Sequence, residues 1–230
     1  LAGEWEAERI SLRKPEDLAK LNIDWKLGSA ATALDAKNRI ITLASGETIS
    51  FDGLIIATGS GVRKLPNQPD WKGVHVVRTL DDSLNLRADL NPGARLVVIG
   101  AGFIGLEVAA TAKARGCEVT VLEGAPAPMM RGLGAEMGQA AALVHADNGV
   151  QLRCDVKVAG LVEGSPGAVG GVALDGGEIV PADVVVVGIG VVPATQWLEN
   201  TELELRDGVV CDTTLNAGVS GIYAAGDICR

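Results

Sequence analysis

Residues 95–107, RLVVIGAGFIGLE, constrain the fold more than any other stretch of this chain. Leu96–Ile99 run apolar without alternation into Gly100, the pattern of a strand buried on both faces. From Phe103 to Arg115 the apolar residues recur at helical spacing, and Gly116 supplies the stop. Three glycines, Gly100, Gly102 and Gly105, occupy the join. A strand that turns into a helix within so few residues predicts a βαβ unit, and CEVTVLE (117–123) is the next strand.

The flanking segments extend this pattern. Helices are expected at 81–90 and 135–148, the second stopped by Gly149, with a third strand at VQLRCD (150–155). VKVAGLVEG and GGVALDGGEIV lack helical spacing and read as an antiparallel excursion returning to a central strand, Val184–Val187. Upstream, a short helix is expected from Pro15 to Leu21, followed by short strands. NRIITL and ETISF flank a glycine-containing turn as a hairpin, and LIIA is a buried strand. Pro66 and Pro69 mark a linker. At the other end DGVVCD and GIYAAGD both read as strands. The expected fold class is α/β, with a complete βαβαβ unit at 75–205 set between two pieces of something else, 1–74 and 206–230.

Gly100-x-Gly102-x-x-Gly105 follows a strand and opens a helix, the context a dinucleotide fingerprint requires. Gly100 permits the tight turn, Gly102 lets the backbone approach a pyrophosphate, and Gly105 lets the helix lie close to the strand. The diphosphate would sit at the helix N-terminus, where unpaired N–H groups and the macrodipole favour negative charge. Glu123 ends the second strand and can accept from both ribose hydroxyls while repelling a 2′-phosphate. The residues after it are Gly124-Ala125-Pro126, with no adjacent arginine to take that phosphate. NADH is therefore expected over NADPH. Glu107 is read in the first turn of the helix, where the dipole alone favours a carboxylate, and Arg131 as a surface charge or a ligand contact.

Composition narrows the partners. A net charge of −9 disfavours nucleic acid and anionic membranes, and 3% aromatic residues give little stacking surface for single strands. No apolar run approaches a membrane span and no signal peptide opens the chain, so a cytoplasmic protein is expected. The four cysteines, Cys117, Cys154, Cys211 and Cys229, show no C-x-x-C spacing, and His75 and His145 are isolated. Cys117, Cys154 and Cys211 are expected to be core residues.

Four separated motifs, VVIGAGFIGLEVA, VTVLE with Arg131 beyond it, VVVVGIGVVPAT (184–195) and IYAAGD (222–227), resemble the FAD-dependent pyridine-nucleotide oxidoreductases. The resemblance is strongest to the ferredoxin/rubredoxin reductase branch, which includes reductase components of ring-hydroxylating dioxygenases, and LAGEW, ERISLR and LIIATGSGVRKLP share it. It implies a Rossmann-like NAD-binding domain, a parallel sheet with an antiparallel β-meander, inserted in an incomplete FAD-binding domain. It implies that Gly100, Gly102, Ile104 and Gly105 line the NADH site and that Glu123 holds the adenosine ribose beside Arg131. Glu107 would bond the nicotinamide carboxamide, with Gly190 passing close. Thr58 and Arg63 would approach FAD, and Asp227 would take a ribityl hydroxyl.

Members of that family also carry a first glycine fingerprint for FAD, and none occurs in residues 1–60. The chain is therefore expected to be an internal fragment that holds flavin weakly or not at all and does not turn over. The whole protein would pass a hydride from NADH to FAD and then single electrons to a small iron-sulfur protein, a ferredoxin or rubredoxin. An NADH oxidase, a nitrite reductase flavin subunit, a glutathione-reductase-like enzyme, an apoptosis-inducing-factor-like protein and a non-catalytic NADH-binding module remain alternatives. A thioredoxin-reductase-like enzyme is disfavoured by the absence of cysteine at 130–145.

Overall fold

A computed structural model describes all residues, 1–230. In chain order the elements are α1 (Pro15–Leu18), β1 (Ala31–Asp35), β2 (Ile40–Leu43), β3 (Thr48–Ser50), β4 (Leu54–Ile56), β5 (Ser60–Val62), β6 (Val74–His75) and α2 (Leu80–Asp89). There follow β7 (Arg95–Ile99), α3 (Phe103–Ala114), β8 (Glu118–Leu122), α4 (Met130–Asp147), β9 (Gln151–Arg153), β10 (Val158–Ser165), β11 (Ala168–Leu174), β12 (Ile179–Pro181), β13 (Val184–Val187), β14 (Val191–Pro193) and β15 (Ile222–Ala224). The chain divides into two compact units, one of residues 1–11 and 62–190, the other of 12–61 and 191–230.

The first unit is built on a parallel sheet of order β6-β13-β7-β8-β9. The strand pleat sorts its residues onto two faces. Leu96 and Val98 of β7, with Val184 and Val186 of β13, join Leu86, Leu106, Val108 and Ala112 of α2 and α3 in one apolar cluster. Val97, Ile99, Val185 and Val187 point the other way, into Val169, Val172, Leu174 and Val180 of the antiparallel meander β10-β11-β12. Coverage on both faces is why these strands are apolar throughout, and each fully buried side chain contributes about 1.5–3 kcal/mol. Helix α2 opens on a capping box: Thr79 Oγ1 accepts from Asp82 N at 3.1 Å, and Asp82 Oδ2 accepts from Thr79 N at 2.8 Å.

The main part of this unit runs from 62 to 190, where the order of elements suggested 75–205. Leu65, Trp71 and Val74 pack against the meander-side cluster, so the proline-containing stretch belongs to the unit. Residues beyond Gly190 are drawn elsewhere, because Leu198 and Leu203 are buried in the second unit's core.

That second core gathers Leu34, Ile56, Leu198, Val209, Ile222, Ala224 and Ile228. Around it lie the meander β1-β2-β3 and the parallel pair β4 and β15, in register Leu54↔Ile222 to Ile56↔Ala224. Hairpin β2-β3 pairs Ile40 with Ser50 across the expected turn. DGVVCD does not form the expected strand. Asp207 and Gly208 take positive φ (51° and 130°), and only isolated bridges at Val209 follow. Of the three cysteines expected in the core, Cys117 alone is buried, while Cys154 and Cys211 are half-buried. Both lie just outside regular strands, where one side of the residue stays open to solvent.

Candidate dinucleotide site

The carboxyl ends of β13, β7 and β8 release three loops, the position where parallel α/β sheets take ligands. Gly100 has φ 101°, and a Cβ there would lie 2.4 Å from the carbonyl oxygen of Gly188. The loop after β7 therefore presses against the loop after β13 with no room for a side chain. Gly105 is equally confined, since its Cβ would lie 2.1 Å from the Gly100 carbonyl oxygen. These two glycines set the fold of the turn.

Gly102 differs. It is exposed, and nothing lies within 4 Å of where its Cβ would be. It is the N-cap of α3 and supplies no side-chain cap to that helix. An open approach to an uncapped helix start suits an anionic ligand. Ile104, on the same first turn, is 46% exposed.

Glu123 stands just past β8, half-buried. Its Oε2 accepts from Ala101 N at 2.7 Å and its Oε1 from Ala125 N at 2.8 Å. Two charge-assisted bonds fix the carboxylate against the glycine loop, and each oxygen keeps further acceptor capacity for a hydroxyl. Its field reaches Cys154, whose thiol is pushed up by burial first and then by the charges of Glu123 and Asp155.

The remaining expected residues are placed as follows. Glu107 is exposed on α3 but is the fifth residue of the helix, so the first-turn dipole contact expected for it does not hold. Arg131 is exposed on a turn bounded by Met129 (φ 54°) and Gly134 (φ 76°, ψ 176°), which interrupts α4 before its main body. Gly190 is exposed with φ 106°, and its carbonyl accepts from Arg63 N at 2.9 Å. Arg63 thus falls in the same unit as the glycine loop. Thr58 and Asp227 belong to the second unit, in the loops leaving the carboxyl ends of the parallel strands β4 and β15. There Thr58 Oγ1 donates to the Ala194 carbonyl at 3.3 Å, and Ser60 Oγ donates to Asp227 Oδ2 at 3.2 Å.

Three structural partners escaped the sequence reading. Gly188 meets Gly100, Ser60 is buried against Asp227, and Gly132 lies so close to Phe103 that a Cβ would sit 2.8 Å from the ring. Gly188 alone had a sequence signal, as the first glycine after the VVVV run.

Fold and site together define a nucleotide-binding α/β protein with a strand–glycine loop–helix turn and an acidic residue after the next strand. The sequence profile of the pyridine nucleotide-disulphide oxidoreductases matches residues 2–230, and the chain belongs to that family. It is 37% identical over 95% of its length to the ferredoxin–NAD(+) reductase component of the p-cumate 2,3-dioxygenase system of Pseudomonas putida. It is 36% identical over 96% of its length to rhodocoxin reductase of Rhodococcus erythropolis. Among solved structures, the covalent putidaredoxin reductase–putidaredoxin complex superposes with a TM-score of 0.94 at 32% identity, over the whole of this chain and 56% of that one. The chain spans about half the length of the curated relatives it matches, 53% and 52% for the two named. No helix is long and apolar enough to cross a membrane.

Proposed function

We propose that this chain is the NADH-binding part of an FAD-dependent reductase that delivers electrons to a small iron-sulfur protein of the ferredoxin or rubredoxin kind. The observation that carries the reading is Glu123, held by two backbone amides beside an open glycine loop. Gly102 and the start of α3 receive the pyrophosphate, with Gly100, Ile104 and Gly105 shaping the turn. Glu123 accepts from the adenosine ribose and Arg131 lies at that end. Glu107 and Gly190 serve the nicotinamide end.

The residues present fit FAD in part. Asp227 stands past the end of β15, where it would take a ribityl hydroxyl of the flavin, and Thr58 stands past the end of β4, where it would approach the flavin. NADH and FAD supply the two-electron hydride chemistry and its division into single electrons when bound. The chain's own residues bind and orient. A cytoplasmic setting belongs to the same proposal, supported by the four free thiols and the reductase names of the relatives.

The test is electron delivery by the complete flavoprotein. With NADH as donor, it is expected to reduce a ferredoxin or rubredoxin under anaerobic conditions, followed by the acceptor's visible spectrum. NADH consumption that occurs only with dioxygen present would instead identify an oxidase and reject the reading.

A further inference from the structure

Cys211 and Cys229 are far apart in sequence but adjacent in the second unit. Val209 N donates to Ile228 O at 2.7 Å, Arg230 N to Val209 O at 2.8 Å, and Cys211 N to Arg230 O at 3.1 Å. This short parallel ladder, with Val209 opposite Cys229, places both cysteines on one face, against the same apolar cluster. The Cys211 thiol is near enough to Cys229 to push the Cys229 thiol up, and both residues are half-buried. Cys211 also lines a cleft of about 430 Å³ whose carboxylates are Glu202, Glu204 and Asp212.

We propose that Cys211 and Cys229 form a redox-convertible pair that a small neutral hydroperoxide closes to a disulfide. Cys211, which borders the cleft, attacks with its sulfur as its proton departs. Its sulfur bonds to one peroxide oxygen, the O–O bond breaks, and the other oxygen leaves as water after taking a proton. Cys229 then attacks the resulting sulfenic sulfur; the S–S bond forms, the S–O bond breaks, and the hydroxyl leaves as water with the Cys229 proton. Two thiols and one peroxide give one disulfide and two waters. Burial and the neighbouring Cys211 sulfur push the Cys229 thiol up, which suits it to the second step rather than the first. The acidic cleft selects the oxidant by charge: a neutral peroxide enters, whereas an anionic disulfide such as oxidised glutathione is repelled. The bond would tie the extended segment 209–211 to the segment that follows Asp227, whose carboxylate accepts from Ser60.

Intact-mass spectrometry after equimolar hydrogen peroxide tests this directly. The expected result is loss of two hydrogens per chain, reversal by dithiothreitol, and a cross-linked peptide pair containing Cys211 and Cys229. Cys229→Ser should leave Cys211 as a sulfenic acid that dimedone captures, and Cys211→Ser should leave Cys229 reduced. Separate dimedone adducts on both cysteines of the unsubstituted chain, a cross-link through Cys117 or Cys154, or no change at Cys211 would overturn the proposal.

Discussion

At the scale of single residues, the three glycines of the fingerprint do different work, and substitution should separate them. Gly105→Ala places a methyl against the Gly100 carbonyl oxygen at 2.1 Å, and overpacking of this kind costs about 1–3 kcal/mol. Gly102→Ala meets nothing within 4 Å. Thermal unfolding and NADH titration of both variants are expected to split cleanly. Gly105→Ala should lose several degrees of Tm, while Gly102→Ala should keep the parent Tm and lose NADH affinity. A Gly102→Ala variant that binds NADH normally would contradict the placement of the pyrophosphate there. The spacing of these glycines and Glu123 was legible because strand, turn and helix are each local. The Gly188 contact was not, since it joins loops that only the sheet order β13-β7 brings together. Glu107 shows the same limit in another form: its place on the helix was legible, but its turn of the helix depended on where the helix starts.

At the scale of elements, β7 and β13 are clamped at their amino ends by Arg95 and Asp183. Arg95 Nη2 lies 2.6 Å from Asp183 Oδ1, and both Arg95 N and Nε donate to Oδ2. Arg95, first through its side-chain bond and then its backbone N–H, holds the Asp183 carboxyl below its ordinary value of 3.8. A lowered carboxyl contributes stability that is present above the ordinary value and lost as pH falls through the lowered one. Asp183→Asn should therefore unfold at lower denaturant than the parent near neutral pH, and the gap should close from about pH 4 downward. An unchanging gap between neutral and acid pH would show that the ionised carboxylate is not what matters. Helices α2 and α3 were legible from period and punctuation, and so was the meander, from its lack of helical spacing. DGVVCD was misjudged because its apolar run Val209–Cys211 suits a strand, while Asp207 and Gly208 before it take positive φ and only isolated bridges form.

At the scale of the whole molecule, the chain is two compact units with separate apolar cores, and the chain passes from one unit to the other more than once. The order of motifs made one unit set within a second one legible. The points of crossing were not, because they follow from which core takes Trp71 and which takes Leu198, a matter of tertiary packing. The first unit carries the glycine loop, Glu123, Glu107, Arg131 and Gly190 together, so its binding of a pyridine nucleotide can be measured without reference to the second. Glu123 is proposed to make this a site for NADH. Calorimetric titration of the 230-residue chain with each coenzyme tests this. Binding is predicted to be tighter for NADH than for NADPH, with the preference abolished in Glu123→Gln. Equal affinities in the parent chain, or tighter binding of NADPH, would contradict it.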